Sequence, residues 1–276
     1  MAGAKDNLHA AALGSLLSQK YQATLAGIMT FRKPEQTMRG GQRFGASATL
    51  VHKDSVPDET WTRGQVEKTL LEALQSDDQP TIAISNADNP TDRFADLEAF
   101  GEISDLDVVI GVDPGGDSYS YREANPEDLA HLGTERDRRA LSALNKLAYR
   151  HSLPVYSGVI APDVYARYYS LALMRRAHAK RLPLTSHDRS VMLEVYERTG
   201  TLHGQDANYS TTAMLFQRAA LGQLGLQSID LPAAMATSPH DPWRVFFEVT
   251  QASGDVILTD ISQHYAVTLR PTLHTS

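Results

Sequence analysis

The first 160 residues alternate between short apolar stretches and longer segments in which apolar residues recur at helical spacing. Thr81–Ser85 and Asp107–Val112 are examples of the short stretches, and Thr134–His151 is an example of the long segments. Short strands that alternate with helices of ten or more residues form βαβ units, which build parallel sheets. The sequence therefore predicts an α/β protein with a mostly parallel sheet and helices on both faces.

The same patterns place the individual elements along the 276-residue chain. Helices are predicted at 8–20, 58–75, 92–100 and 134–151, and strands at 24–30, 46–52, 81–85, 107–112 and 153–160. The pattern is helical from 163 to 224, and strands return at 245–249 and 256–258. We expect a single domain (1–276) with a sheet core (1–160), a mainly helical C-terminal elaboration (161–225) and returning strands (226–276).

Composition excludes several classes of protein. The absence of cysteine rules out a disulfide framework, thiolate zinc sites and a cysteine nucleophile. The formal charge of −7 opposes broad contact with a phosphate backbone, so nucleic acid is not expected as a partner. Met1–Asp6 lacks the basic and apolar regions of a signal peptide, and no apolar run is long enough to cross a bilayer. We expect a cytoplasmic protein, without a membrane partner, that can form a homo-oligomer.

The most informative loop directly follows the predicted strand at 107–112. In this loop Asp113 and Asp117 flank the pair Gly115–Gly116, and Ser118 follows. Adjacent glycines permit positive φ and let a ligand approach backbone N–H groups, while the two carboxylates can bind a ligand or Mg²⁺. The residues also fit a tight turn in which the Asp side chains bond their own backbone, and the sequence leaves both interpretations open.

Two helix starts add candidate ligand-binding residues. Gly3, Asp6 and Asn7 lead into the first predicted helix, whose free N–H groups can receive an anion. The alternative is an ordinary capped helix start, with Asp6 or Asn7 as the N-cap. Asp137 stands three residues after Thr134 in a predicted capping box, at the start of the helix that follows the glycine-rich loop.

The polar run from His203 to Ser210 is a third candidate. His203 can act as a general base that Asp206 orients, if the segment closes over the sheet edge as a mobile lid. Alternatively, the run is a hydrophilic connection in which Asn208 or Ser210 caps the next helix. The chain contains no Gly-x-Ser-x-Gly elbow, no Walker motif and no His-Glu-x-x-His motif.

The passage from Asp107 to Ile160 resembles a little-studied family of Rossmann-like proteins of unknown function. In that family a glycine-rich turn followed by Asp opens the chain, and a strand ending in Val-Asp-x-Gly-Gly-Asp lies near its middle. Here Val112–Asp117 matches the second motif, and Gly3–Asp6, poorer in glycine, stands at the place of the first. Ala161–Asp163 stands where the family has a second Gly-Asp-rich loop. The resemblance covers roughly residues 1–170 and implies a Rossmann-like fold.

These observations lead to a functional hypothesis. Ligands of open parallel sheets gather outside the C-terminal ends of strands, where the Asp113–Asp117 loop is predicted to lie. We expect an enzyme, of the hydrolase or transferase class, that acts on a nucleoside, a sugar phosphate or an amino-acid derivative. Asp113, Asp117 and His203 are the candidate catalytic residues. The alternative is a non-catalytic small-molecule sensor or partner-binding subunit, which the lack of a recognisable nucleophile suggests.

Overall fold

A computed structural model describes residues 6–34, 36–57, 66–74, 80–119, 134–162, 173–202, 210–230 and 244–268. The α-helices with both ends in these ranges are α1 (Asp6–Tyr21), α2 (Val66–Ala73), α3 (Pro90–Ser104), α4 (Thr134–His151), α5 (Ser186–Arg198), α6 (Thr211–Ala220) and α7 (Ile261–Thr268). Residues 173–176 are also helical. Single 3-10 turns cover Asp117–Tyr119 and Gln251–Gly254. No helix in the described ranges combines the length and the apolar character that crossing a membrane requires.

The strands form two four-stranded mixed sheets and two two-stranded ones. Their bounds are β1 (Gly27–Phe31), β2 (Met38–Arg39), β3 (Gln42–Phe44), β4 (Ala48–Leu50), β5 (Val56–Pro57), β6 (Thr81–Ser85), β7 (Val109–Pro114), β8 (Val155–Ile160), β9 (Lys180–Leu182), β10 (Gly225–Asp230), β11 (Arg244–Val249) and β12 (Val256–Asp260). The four-stranded sheets have the orders β1-β6-β4-β3 and β7-β8-β12-β9, and β2 pairs with β5 and β10 with β11.

The α/β class is confirmed, but the prediction of a mostly parallel sheet is wrong. Only β1 with β6 and β7 with β8 run parallel among the described pairs. In the first sheet, β3 and β4 form a hairpin around a short turn, and β4 adds antiparallel to β6. In the second, β12 lies antiparallel between β8 and β9. Hairpins and returning strands thus extend each parallel pair into a mixed sheet.

Two C-terminal elements differ from the sequence prediction. The segment expected to be helical from 163 to 224 contains β9 within its described part, and residues 163–172 lie outside that part. Helix α7 was not predicted at all. Its residues include Ile, Tyr, Val and Thr, which favour strands, so local propensity opposes the helix that forms here.

Apolar clusters cover both faces of the strands. Leu13 and Leu16 of α1 belong to a buried cluster that also contains Ile28 of β1. Phe31 of β1 is three residues after Ile28, so its side chain points to the opposite face of the strand. It belongs to a second cluster, with Leu144 and other residues of α3 and α4. Side chains alternate between the faces of a strand, so α1 packs on one face of β1 and the α3–α4 layer on the other.

Helix α1 is also tied to the C-terminal half of the chain. The buried His9 imidazole bonds the Tyr196 hydroxyl through Nδ1 at 2.8 Å and the Ser210 hydroxyl through Nε2 at 2.9 Å. At the other end of α1, Lys20 Nζ donates to Asp188 Oδ2 at 2.8 Å. Polar contacts at both ends therefore fix α1 against α5 and the start of α6.

Candidate functional site

Asp113 lies at the C-terminal end of β7 and is buried, with only 1% of its surface exposed. Its Oδ2 accepts a hydrogen bond from the Ser118 N–H at 3.1 Å and a second from the Ser118 hydroxyl. Its Oδ1 is buried and has no hydrogen-bond partner among the described residues. The strand end therefore holds a buried carboxylate with one oxygen bonded to Ser118 and one without a partner in the described part of the chain.

The turn after Asp113 depends on two glycines with positive φ, a conformation that adjacent glycines permit. Gly115 has φ +89° and Gly116 has φ +84°, in the region that favours glycine. The Gly115 N–H donates to the Ile160 carbonyl at 2.8 Å, which extends the β7–β8 ladder past the end of β7. The chain then turns back sharply enough for Ser118 to reach Asp113, so the self-bonded turn that the sequence left open does form.

Replacing Gly116 by Ala is expected to lower the free energy of unfolding by about 1–3 kcal/mol. A Cβ atom here would lie 2.7 Å from Met174 Cε and 3.2 Å from Val159 Cγ1, in addition to the strain of positive φ. Gly222→Ala is the matched control, since φ is +72° there and a Cβ would meet nothing within 4 Å. Urea unfolding should show the larger loss for Gly116→Ala. Equal losses would mean that the close contact with Met174 and Val159 contributes nothing.

An imidazole from the unpredicted helix α7 completes the cluster around Asp113. The His264 Nε2 lies 3.5 Å from Ser118 Oγ, and the His264 ring stacks on Tyr119 with centroids 3.6 Å apart and planes inclined by 1°. The Tyr119 hydroxyl donates to Thr259 Oγ1 at 2.7 Å. The cluster thus joins β7, the turn after it, β12 and α7 into one buried polar group.

Burial sets the charge state of two rings in this cluster. It lowers the pKa of His264 to about 4, and the negative charge of Asp113 opposes that shift only in part. Burial likewise raises the pKa of Tyr119 well above its ordinary value. Near pH 7 the imidazole and the phenol are therefore both neutral. The His264 Nδ1 is buried and has no hydrogen-bond partner among the described residues.

The order of the polar groups differs from that of a serine hydrolase. In a catalytic triad the imidazole lies between the hydroxyl and the carboxylate, so that it takes the hydroxyl proton while the carboxylate orients it. Here Ser118 lies between Asp113 and His264, and its hydroxyl donates to the carboxylate directly. The arrangement positions a carboxylate and does not present a nucleophilic serine.

The turn brings together four of the residues that the sequence singled out, namely Asp113, Gly115, Gly116 and Ser118. Asp117 lies in the 3-10 turn beside them, but its side chain is outside the described part of the structure. Gly3, His203 and Asp206 also lie outside it. The roles proposed for these three residues, including the lid from His203 onward, therefore stay predictions.

The predicted residues at helix starts lie in the first turns of α1 and α4. Helix α1 begins at Asp6, whose side chain is outside the described part, and the buried Asn7 accepts the Leu8 N–H at 2.9 Å through Oδ1. Asp137 is buried in the first turn of α4. Neither Asn7 nor Asp137 is among the groups that bond Asp113 in the described part of the chain. Ser210 is the N-cap of α6, as in the alternative in which Asn208 or Ser210 caps this helix.

Three residues of the buried polar groups were missed in the sequence. His264 was missed because α7 was missed, although Ile261, His264 and Thr268 recur at helical spacing and share one buried face. Tyr119 follows the glycine-rich loop, and no local pattern marks it as a ring that stacks on His264. His9 lies on the buried face of the first predicted helix, and its partners follow 187 and 201 residues later.

The described side chains offer no further ligand for a metal ion at Asp113 and Asp117. No group of three His, Asp or Glu residues close enough to hold a metal ion occurs within the described ranges. Two carboxylates alone make a weak site for a hard cation, which prefers six or more oxygen ligands. No step of the function proposed below therefore depends on a metal.

Comparisons with protein-family models, with curated proteins and with solved structures found no match. The function is therefore inferred from the geometry of the site. Its central feature is a buried carboxylate at a strand end, with a neutral imidazole beside the hydroxyl that it binds.

Proposed function

We propose that the protein is an enzyme, a hydrolase or a transferase, that binds a polar small molecule where β7 ends. In this proposal Asp113 Oδ1 accepts a hydrogen bond from the ligand, and the protein uses its sheet edge as Rossmann-like proteins do. The observation that carries the proposal is the buried Oδ1 at that edge, which has no hydrogen-bond partner among the described residues. A buried acceptor without a donor is costly, and a ligand that supplies the donor removes this cost.

The charge of the site selects the part of the ligand that contacts Asp113. A carboxylate accepts hydrogen bonds and repels other anions, so Asp113 would bind a hydroxyl or an ammonium group. Nucleosides, sugar phosphates and amino-acid derivatives all carry such a donor. If the ligand has a phosphate, that phosphate would lie away from Asp113, for example toward a helix N-terminus.

The same contact supplies a chemical role for Asp113. A carboxylate that accepts a hydrogen bond from a ligand hydroxyl is positioned to take its proton as a general base. The Ser118 hydroxyl holds the other oxygen of Asp113, so the carboxylate has one fixed orientation toward the ligand. The neutral His264 beside Ser118 adds a polar group without adding a second charge.

A small-molecule sensor remains the second candidate function. The specific observation in its favour is that the Ser118 hydroxyl donates to Asp113 and not to His264, so Ser118 is not arranged as an imidazole-activated nucleophile. A sensor needs the ligand-binding carboxylate but no nucleophile. Both functions therefore predict binding at Asp113, and only the enzyme predicts consumption of the ligand.

We expect Asp113→Asn to weaken ligand binding by about 10- to 100-fold, because a hydrogen bond to a charged acceptor contributes roughly 1.5–3 kcal/mol. The amide keeps the shape of the side chain and one acceptor for the Ser118 N–H, so the melting temperature without ligand should change little. The measurement is a thermal-shift screen with nucleosides, sugar phosphates and amino-acid derivatives, followed by titration of each hit. Hits are then assayed for chemical conversion.

Glu102→Gln is the matched control, because Glu102 is an exposed carboxylate on α3. It should bind every hit as the wild type does. Full binding and turnover by a folded double variant, Asp113→Asn with Asp117→Asn, would remove this loop from the function. Binding without conversion of any hit would favour the sensor.

A further inference from the structure

A cavity of about 680 Å³ in the described part of the structure does not include Asp113 in its lining. It lies between β1 and β7, the end strands of the two four-stranded sheets. Every residue from Ala23 to Phe31 lines it on one side, and every residue from Asp105 to Val112 lines it on the other. We call the space between Gly27–Phe31 and Val109–Val112 the slot.

The unbroken runs of lining residues show how the slot is oriented. Successive side chains of a strand point to opposite faces of its sheet, so a cavity on one face is lined by every second residue. A cavity lined by every residue lies beside the edge of the strand. The slot therefore faces the backbone edges of both β1 and β7.

Backbone pairing shows which groups of β1 face the slot. The Ala26 carbonyl accepts from the Thr81 N–H and the Arg32 N–H donates to the Ser85 carbonyl, so even-numbered residues of β1 point toward β6. Along a parallel ladder, alternate residues direct their N–H and C=O groups to the same neighbour. Gly27, Met29 and Phe31 consequently direct theirs into the slot.

The same reasoning applies to β7. The Val109 and Gly115 N–H groups donate to carbonyls of Pro154 and Ile160, so odd-numbered residues of β7 point toward β8. Ile110 and Val112 therefore direct their N–H and C=O groups into the slot. No described strand pairs with this edge of β7 or with the facing edge of β1.

Apolar helices cover the slot on both faces of the sheets. Leu13 and Leu17 of α1 line it from one face, and Leu97 and Phe100 of α3 with Leu144 of α4 line it from the other. An apolar cavity of this size is destabilising, because its lining loses contacts that a filled core would make. Two unpaired strand edges between two helical layers form the environment of a central strand in a parallel sheet.

We propose that the slot is the seat of one further strand, apolar and extended, that runs parallel to β1 and β7 and joins the two sheets. The polypeptide on the N-terminal side of α1 supplies it. Two observations support this source. Helix α1 covers the slot, and its first turn, at Asn7, lines it. Because α1 leads into β1, a parallel strand that leads into α1 would complete a βαβ unit beside β1.

The slot also specifies the composition and length of this strand. Both of its faces would be covered by helices, so its residues should be apolar without alternation, as in central parallel strands. β1 has five residues and β7 has six, so the strand needs about five. Residues 1–5 have the length of a usual βα connection between such a strand and α1.

The test adds a strand and measures the exchange of individual amides. Three proteins are compared by hydrogen exchange with NMR detection: the 276-residue chain, the chain with Val-Val-Ile-Val-Val before Met1, and the chain with Val-Val-Pro-Val-Val there. The first extension should slow exchange at Met29 and Ile110 by at least about 100-fold and raise the melting temperature. The proline version should do neither, because proline lacks the N–H that the ladder needs.

The amides of Ile28 and Gly111 point away from the slot and serve as internal controls, since they should stay protected in all three proteins. Three results would overturn the proposal. The first is slow exchange of the slot-facing amides already in the unextended chain. The second is fast exchange of these amides in a folded extended chain, and the third is protection that rises with the concentration of the unextended chain. The last result would assign the slot to a second copy of the chain.

Discussion

Asp96→Ala is expected to lower the free energy of unfolding by about 3 kcal/mol. Asp96 lies on α3 and is fully buried. Its Oδ1 accepts the Ala46 and Ser47 N–H groups at 2.6 and 2.9 Å, and its Oδ2 accepts the Ser47 and Ser85 hydroxyls at 2.8 and 2.7 Å. One carboxylate thus fixes the turn between β3 and β4 to the end of β6.

The size of this loss depends on the hydrogen-bond donors that lose their acceptor when Asp96 is removed. A hydrogen bond to a charged acceptor contributes more than a neutral one, and Ser85 is too buried for water to replace the lost acceptor readily. Water can reach Ala46, which is exposed, and this keeps the loss below the sum of four separate bonds. Asp96→Asn should cost about half as much, because the amide oxygen can still accept both backbone N–H groups.

Urea unfolding of Asp96→Ala, Asp96→Asn and Glu102→Ala provides the measurement. Glu102 is an exposed carboxylate on the same helix, so its replacement should change the free energy of unfolding by less than about 0.5 kcal/mol. A loss for Asp96→Ala no larger than that for Glu102→Ala would show that the turn between β3 and β4 does not depend on the carboxylate.

Acidification from pH 7 to pH 4 is expected to destabilise the protein by roughly 3 kcal/mol through His264 alone. Burial lowers the pKa of His264 from an ordinary value of 6.5 to about 4. Between these two values the unfolded chain binds a proton that the folded chain does not. The contribution of His264 is therefore fully present above pH 6.5 and is lost as the pH falls toward 4.

The stability that Asp188 contributes should be lost only at lower pH, so its effect can be separated from that of His264. The hydrogen bond from Lys20, with that from the Thr185 N–H, lowers the pKa of Asp188 from 3.8 to about 2. This depressed pKa stabilises the folded chain above pH 3.8, and the stabilisation disappears as the pH falls toward 2. The loss between pH 7 and pH 5 therefore reports on His264 and not on Asp188.

Urea unfolding at pH 7 and pH 5 tests this assignment with two variants. His264→Gln should reduce the difference between the two free energies of unfolding, because the amide does not titrate. His52→Gln removes an exposed imidazole and should leave the difference as in the wild type. An undiminished difference in His264→Gln would mean that another group causes the loss.

The elements that the sequence predicts best are those in which local signals agree. The helix at 134–151 and the strand at 81–85 have the predicted bounds, because an amphipathic repeat and a short apolar run each specify one structure. The pairing of the strands is not local. Whether β4 or β12 adds parallel or antiparallel depends on where the chain returns, and the residues of the strand itself do not encode it.

The site was predictable only where its residues are neighbours in the chain. The Asp113–Ser118 turn follows from two glycines after an apolar run, and these glycines permit its positive φ values. His264 joins Ser118 across 146 positions, and its helix forms against the local propensity of its residues. Asp96 was not singled out either, because its four donors come from segments 11 to 50 residues away.

The bonds that tie α1 to the C-terminal half have a consequence for folding during synthesis. His9 cannot reach Tyr196 until 187 further residues have been translated, which takes roughly 10 to 40 s at about 5–20 residues per second. Throughout that interval the apolar face of α1, including Leu8, Leu13 and Leu16, lacks the α5 surface that covers it. Nascent chains should therefore present this helix to chaperones, and translation products that stop before α5 should aggregate.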